Sequence, residues 1–175
     1  MKNLKVLENI HLIGIGGANM YAIAAMLKND GKNVTGSDMQ ESEHTKYLEG
    51  LGIHVAIGHD ISLVDDADLV IYTAAIHPDD PELIRAKELG IECVDRAMFL
   101  GEYTKQYDNL ICVSGTHGKS TTTSMIASVF LEADLNPTIN IGASLKKIHG
   151  NYYIGGKKYF ILEACEYVDS FLHFH

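Results

Sequence analysis

Twice in this chain a short apolar run ends in a glycine-rich turn that opens a helical pattern. The first is "IHLIGIGGANM" (10–20) and the second "LICVSGTHGKS" (110–120). An apolar run of that length bounded by glycine reads as a strand buried on both faces. A strand that feeds a helix through a tight turn is half of a βαβ unit. A chain that repeats it is confined to a parallel sheet with helices on its faces.

The rest of the pattern agrees. After the first turn Met20, Ile23, Ala24 and Leu27 recur at i, i+3, i+4, i+7, one face of a helix, and Gly31 stops it. Strands are predicted at "KNVTGSD", "IHVAIG", "DLVIYTA" and "IECV", and helices at "SEHTKYLEGLG", "DDPELIRAKELG" and "RAMFLGEYT". The polar stretch "KQYDN" (105–109) interrupts the alternation, which restarts with "LICVSG". A domain boundary is therefore expected near Tyr107, giving a Rossmann-like parallel-sheet α/β domain over 1–107 and the start of a second α/β domain over 108–175. In the helix "KSTTTSMIASVFLEA" the expected apolar stripe is Met125, Ile126, Val129 and Phe130. "PTINIG", "NYYIG" and "KYFILEA" read as three more short strands.

Composition narrows the function. The chain has 175 residues, 46% of them hydrophobic, enough for a real core, and a formal net charge of -9. An acidic chain without a basic stripe is a poor partner for nucleic acid or an anionic membrane, and neither is expected. The 3 cysteines lack any Cys-x-x-Cys spacing, which argues for a reducing compartment and against a zinc site. Cys112, inside "NLICVS", is expected to be a buried thiol. With no signal-peptide pattern at its start and no apolar run long enough to span a bilayer, the chain is expected in the cytoplasm. Sequence leaves the oligomeric state open.

The first turn, "GIGGANM" (14–20), lies where glycines let a backbone approach a pyrophosphate at a helix N-terminus. Asp38 ends the next strand, where an acidic residue commonly takes ribose hydroxyls. A third glycine or alanine of the dinucleotide fingerprint is missing, because Asn19 stands there. The residues alone leave two readings, a nucleotide site or a tight turn without a ligand.

The second turn is sharper. Gly118, Lys119 and Ser120 open a helix directly after an apolar strand, the phosphate-loop arrangement. Backbone N–H groups wrap phosphates, the lysine neutralises the terminal one and the hydroxyl can ligate Mg²⁺. The loop is shorter than the usual one: Val113 stands where its first glycine is required, and the loop glycine is Gly115. His173 and His175 alternate as metal ligands could, but lack a third. Tyr152 and Tyr153 read as packing rather than base stacking.

The shortened loop "GTHGKSTTT" resembles that of the Mur ligase family, and "GIGGANM", "YTAAIHPDDPEL" and "EACEYVDSFL" (163–172) are similar to other stretches of that family in the same order. The resemblance covers the whole chain and implies two ligands for the two turns. Gly16, Gly17, Ala18, Asn19 and Met20, with Ser37 and Asp38, would line a site for the sugar nucleotide UDP-N-acetylmuramate. Thr73, Ala74 and Ile76 would approach it from the next turn. Gly115, Thr116, Gly118, Lys119, Ser120 and Thr121 would hold ATP. Lys119 would act on the β/γ-phosphates and His117 would contact substrate. Ser120 and Glu163 would hold Mg²⁺, with Glu166 competing for that last role. The implied reaction joins L-alanine to the muramate carboxylate through an acyl phosphate, driven by ATP. The family also carries further domains, so the resemblance implies an N-terminal piece of a longer enzyme. A family member that adds a whole peptide, a nicotinamide-dependent dehydrogenase and a non-catalytic nucleotide-binding module are the competing readings.

Overall fold

The structure is a computed structural model that describes residues 4–164. The chain divides into two compact units, Met1–Phe99 and Leu100–His175. Among the described residues no helix is long and apolar enough to cross a membrane.

The first unit is a five-stranded sheet. Strands β1 (Asn9–Ile13), β2 (Asn33–Asp38), β3 (His54–Ile57), β4 (Leu69–Tyr72) and β5 (Glu92–Asp95) are arranged β3-β2-β1-β4-β5. Every pairing is parallel, with Ile13 opposite both Ser37 and Tyr72. β1 and β4 are mostly apolar because both of their faces are covered: Ile10, Leu12, Ile13, Leu69, Val70 and Ile71 are all buried, as is the polar His11. Strand order reverses between β1 and β4, so the turns after those strands open a crevice at the carboxyl edge of the sheet, where open α/β sheets bind ligands.

The helices of this unit are set by their caps as much as by their stripes. Helix α1 (Met20–Asn29) is buried along its length, from Met20 to Leu27. Helix α2 (Glu43–Gly50) starts on a capping box, in which Ser42 accepts from the Thr45 N–H and Thr45 from the Ser42 N–H. Helix α3 (Pro81–Glu88) begins with proline at its first position, and the Asp80 carboxylate caps the Glu82 and Leu83 N–H groups at 2.9 and 3.2 Å. Gly36 in β2 is a close-approach glycine: a Cβ there would lie 2.5 Å from Ile15 Cδ1 and 2.7 Å from the Leu12 carbonyl.

Helix α4 (Arg96–Tyr103) contains the division between the units. In the second unit β6 (Asn109–Val113), β7 (Thr138–Leu145), β8 (Gly150–Tyr153) and β9 (Tyr159–Glu163) form a sheet in the order β6-β9-β7-β8. β6 and β7 run parallel to β9, whereas β8 is antiparallel to β7. Only a short hairpin connection joins β7 to β8, and a parallel return needs a longer crossover. Helix α5 (Lys119–Glu132) covers one face. Ala127 packs there with Ile139, Ile141 and Ile161, flanked by Ile111, Ile126, Phe130 and Leu131. On the alternate register Phe160 meets Tyr107 and Tyr103 edge-on, with ring centroids 4.8 and 6.4 Å apart.

Two sequence expectations fail in this unit. The inward arc of α5 is Thr123, Ile126, Ala127 and Phe130, while Met125 and Val129 are 58% and 64% exposed. Thr123 can face inward because its hydroxyl donates to the Lys119 carbonyl at 2.8 Å. Cys112 is exposed, not buried. It lies on β6, an edge strand among the described ones, and Ile111 beside it takes the register that meets α5. His173, His175 and Glu166 lie outside the described residues.

Candidate functional site

The turn after β1 is held almost entirely by its own chain. The N–H groups of Gly14 and Ile15 both donate to the Ser37 carbonyl, at 2.8 and 2.9 Å, and the Gly17 N–H donates to the Gly14 carbonyl at 3.2 Å. The Gly16 N–H donates to Asp38 Oδ2 at 2.9 Å, and Asp38 Oδ1 takes the Gln40 N–H. The Gly17 carbonyl accepts from the N–H groups of Met20 and Tyr21. Asp38, expected beside the ribose, is thus first a brace for the glycine turn. Met20 is 1% exposed, with its side chain packed in the core. Gly17 and Ala18 are exposed, and Asn19 precedes α1 with no capping bond from its side chain. The crevice brings Thr73 and Ile76 beside this turn: a Cβ on Gly14 would lie 3.6 Å from Thr73 Cγ2 and 3.7 Å from Ile76 Cδ1. Ala74, between them, is exposed.

Ser37 does not offer its side chain to the crevice. It is 2% exposed, and its hydroxyl donates to Glu82 Oε2 at 2.5 Å. The Glu82 carboxylate is buried and also takes the Asp60 N–H at 2.7 Å; His11 Nε2 lies 3.5 Å away. His11 Nδ1 in turn meets the Thr35 hydroxyl at 2.9 Å. Burial raises the pKa of Glu82, but the hydrogen bonds from His11, Ser37 and Asp60 outweigh it and hold the carboxyl below its ordinary value. His59, Asp80 and Glu82 offer ligand atoms within 4.8 Å of one another. Both acids are already engaged by N–H donors and His59 is exposed, so the trio reads as structural; Glu82, with His11, Ser37 and the Asp60 N–H, forms a polar network tying β1, β2, α3 and the loop after β3. Sequence reading missed this network. Its signal is a histidine inside "IHLI" and a glutamate one residue after the helix-opening proline.

The second turn is built the other way. Gly115 has φ +146° and Gly118 φ +75°, backbone that side chains other than glycine rarely adopt. They swing residues 115–118 around the start of α5, whose N-cap is Gly118 with no side-chain cap. No described residue accepts a hydrogen bond from the N–H groups of Thr116, His117, Gly118, Ser120 or Thr121. A row of amides at a helix start is an anion site. Lys119 Nζ folds back to donate to the Gly115 carbonyl at 2.5 Å, and the His117 side chain is exposed.

Beside this turn the chain brings Ser120 and Glu163 together. Ser120 Oγ donates to Glu163 Oε1 at 3.0 Å, and the Gly142 N–H holds Oε2 at 2.7 Å. A hydroxyl and a carboxylate oxygen at that spacing, with the carboxylate fixed from behind, suit a hard divalent cation with oxygen ligands. A Cβ at position 142 would sit 3.0 Å from both carboxylate oxygens, so glycine leaves room for Glu163. Sequence reading also passed over Asn140, two residues earlier on β7. It is 2% exposed and its Nδ2 has no hydrogen-bond partner among the described residues, a costly state for a buried amide. Its signal is an asparagine between two isoleucines in "TINIG".

Residues 9–108 match the family model described as Mur ligase family, catalytic domain. A curated relative from Caldicellulosiruptor saccharolyticus, named UDP-N-acetylmuramate–L-alanine ligase, is 54% identical over 97% of this chain and 37% of its own length. The chain thus spans little more than a third of such relatives. Among solved structures, the UDP-N-acetylmuramate-alanine ligase MurC from Thermotoga maritima superposes with TM-score 0.82 at 35% identity, over 90% of this chain and 37% of that one. A murein peptide ligase from Psychrobacter arcticus gives TM-score 0.87 at 27% identity, over 96% of this chain and 41% of that one.

Proposed function

The chain belongs to the Mur ligase family, and from that premise we propose that the whole protein joins L-alanine to the carboxylate of UDP-N-acetylmuramate at the expense of ATP. The first unit would bind the sugar nucleotide at the crevice between the turns after β1 and β4. The second would bind ATP at the turn before α5. The observation that carries the reading is the set of open amides of Thr116, His117, Gly118, Ser120 and Thr121 beside the Ser120–Glu163 contact. That is a donor set for phosphate and a ligand pair for Mg²⁺ in one place. The names of the curated relatives support the choice of substrates.

In this reading the amides of Thr116, His117, Gly118 and Ser120 orient the phosphates. Lys119 neutralises charge that develops as the terminal phosphoryl group leaves for the muramate carboxylate. Ser120 and Glu163 would hold Mg²⁺, which supplies charge neutralisation when bound. The carboxylate becomes an acyl phosphate, and the L-alanine amine then displaces phosphate. His117, exposed in the loop, would contact substrate. The enzyme would work in the cytoplasm.

One observation favours a second reading: the murein peptide ligase superposes as well as MurC does. In that case the amino substrate would be a peptide.

The test is a parallel calorimetric titration of this chain with UDP-N-acetylmuramate, ATP with Mg²⁺, and NAD. Phosphate release by the whole protein with L-alanine or a peptide as acceptor completes it. The reading expects saturable binding of the first two ligands, none of NAD, and alanine-dependent turnover. Saturable NAD binding with no response to the UDP sugar would sink it.

A further inference from the structure

His44 lies outside every residue assigned above to the first turn, yet it grips that turn directly. Its Nδ1 is 2.8 Å from the Gly16 carbonyl. A carbonyl oxygen only accepts, so His44 carries its proton on Nδ1. Its ring stacks on Tyr21 with centroids 4.0 Å apart and planes 9° from parallel, and Tyr47, one turn further along α2, meets Tyr21 edge-on. The imidazole is therefore braced by α1 and anchored on α2 while it donates.

Gly16 is held from the other side as well, through its N–H to Asp38 Oδ2 at 2.9 Å. Two side chains, one from the end of β2 and one from the first turn of α2, fix the peptides on either side of one α-carbon. The space around it is full: a Cβ there would sit 2.9 Å from Asp38 Oδ2, 3.0 Å from Thr45 Cγ2 and 3.2 Å from Ser42 Oγ. The Gly16 carbonyl shares a rigid plane with the Gly17 N–H, which closes on the Gly14 carbonyl at 3.2 Å. Setting the carbonyl therefore sets the direction of the chain through Gly17, Ala18 and Asn19, the exposed part of the turn.

We propose that His44 is a positioning residue for the sugar-nucleotide site, acting through the Gly16 carbonyl to hold residues 17–19 in the orientation that meets the ligand. It rests on the reading of the first turn as a sugar-nucleotide site. The role belongs to the Nδ1–H bond and not to ring packing, because any aromatic ring could stack on Tyr21 but only a donor can hold a carbonyl.

Two variants of this chain separate those contributions. His44→Phe keeps a ring against Tyr21 and loses the donor. His44→Gln keeps a side-chain N–H and loses the ring. Each is compared with the unaltered chain by calorimetric titration with UDP-N-acetylmuramate, by amide hydrogen exchange of residues 16–19 without ligand, and by thermal midpoint. Losing one hydrogen bond that aligns a site is expected to weaken binding about tenfold in His44→Phe. Faster exchange at the turn and a midpoint within about 2 °C should accompany it. His44→Gln should stay within about threefold of the unaltered chain. Unchanged affinity and exchange in His44→Phe, or equal losses in both variants, overturn the proposal. If the unaltered chain fails to bind the UDP sugar, the ligand reading falls instead, and the exchange data still decide whether His44 holds the turn.

Discussion

The two glycine turns begin from the same sequence cue and end in opposite states. After β1, the N–H groups of Gly14, Ile15, Gly16 and Gly17 all donate to acceptors of the chain itself, the Ser37 and Gly14 carbonyls and the Asp38 carboxylate. Before α5, those of Thr116, His117, Gly118, Ser120 and Thr121 have no described acceptor. A turn whose amides are satisfied is rigid and recognises a ligand chiefly by shape and side chains. A turn whose amides converge unsatisfied stores a demand for an anion. The difference comes from outside the turns. The first has β2 and α2 lying against it, whereas the second is shaped by left-handed glycines and has no side-chain cap.

The largest effect expected from this contrast is on turnover. In the whole protein Lys119→Ala removes the ammonium from the open turn. The loss should be on the order of a hundred- to a thousandfold in kcat, as for other donors aimed at developing charge. Affinity for UDP-N-acetylmuramate, measured by calorimetry, should barely move. Near-normal phosphate release by the variant would mean that the open turn is not the phosphoryl clamp and would erase the functional half of the comparison.

A smaller effect, on stability, probes what stands behind the closed turn. Glu82 is buried with its carboxyl pKa below the ordinary value, through the hydrogen bonds from His11, Ser37 and Asp60 that overcome the cost of burial. A carboxyl depressed in the folded state binds its proton less readily there than in the unfolded chain. Its stabilising contribution is therefore complete above the unfolded value, about 4.3, and is lost as pH falls through the folded one. Glu82→Gln should cost about 1.5–3 kcal/mol near neutral pH, the range for hydrogen bonds to a charged group. The gap to the unaltered chain should narrow in urea unfolding below pH 4. A constant gap across pH would show that the ionised carboxylate is not what holds β2, α3 and the loop after β3 together.

Much of this was readable in advance, and the exceptions have a common cause. The strands and helices of both units were visible because apolar runs and helical stripes are local signals. The right-handed crossover rule fixes the hand of each connection in the first unit, but the strand order β3-β2-β1-β4-β5 has no local signal. The contact of Ser120 with Glu163 was legible only through family resemblance, since no local pattern joins a loop to a strand so far along the chain. The satisfied state of the first turn was not legible at all. It depends on where the Asp38 carboxylate and the His44 ring arrive after folding, and neither "GSD" nor "SEHT" states its partner. The antiparallel β8 and the exposed Cys112 were missed for the same reason: a short strand carries no mark of its direction or of what covers it.

Two glycine substitutions sharpen the contrast further. Gly118 has φ +75° with open space around the position of a Cβ, so Gly118→Ala meets backbone strain alone, about 1–2 kcal/mol. Gly16 has no such φ, but its Cβ position is crowded by Asp38, Thr45 and Ser42. Gly16→Ala should therefore act by pushing Asp38 off the Gly16 N–H, seen as faster amide exchange in residues 14–17. Gly118→Ala should leave exchange at the first turn unchanged. Thermal midpoints and exchange rates for the pair check both statements, and the distinction collapses if Gly16→Ala leaves the first turn as protected as before.

The smallest effect separates the two helices that follow these turns. Helix α1 is buried from Met20 through Leu27, whereas α5 buries only Thr123 and Ala127, with Ile126 and Phe130 packed beside them. The stripe expected from sequence put Met125 and Val129 on the inner side of α5, but a rotation of 100° per residue carries both to the far side from Ala127. Val129→Ser in this chain should then change stability by no more than about 0.5 kcal/mol, as exposed substitutions do. Ala127→Leu, which forces extra methylenes against Ile139, Ile141 and Ile161, should cost about 1–3 kcal/mol. Urea unfolding followed by a probe in the second unit measures both. If Val129→Ser proved as costly as Ala127→Leu, Val129 would be packed against a surface, and the arc assigned here to solvent would belong to the core of that unit.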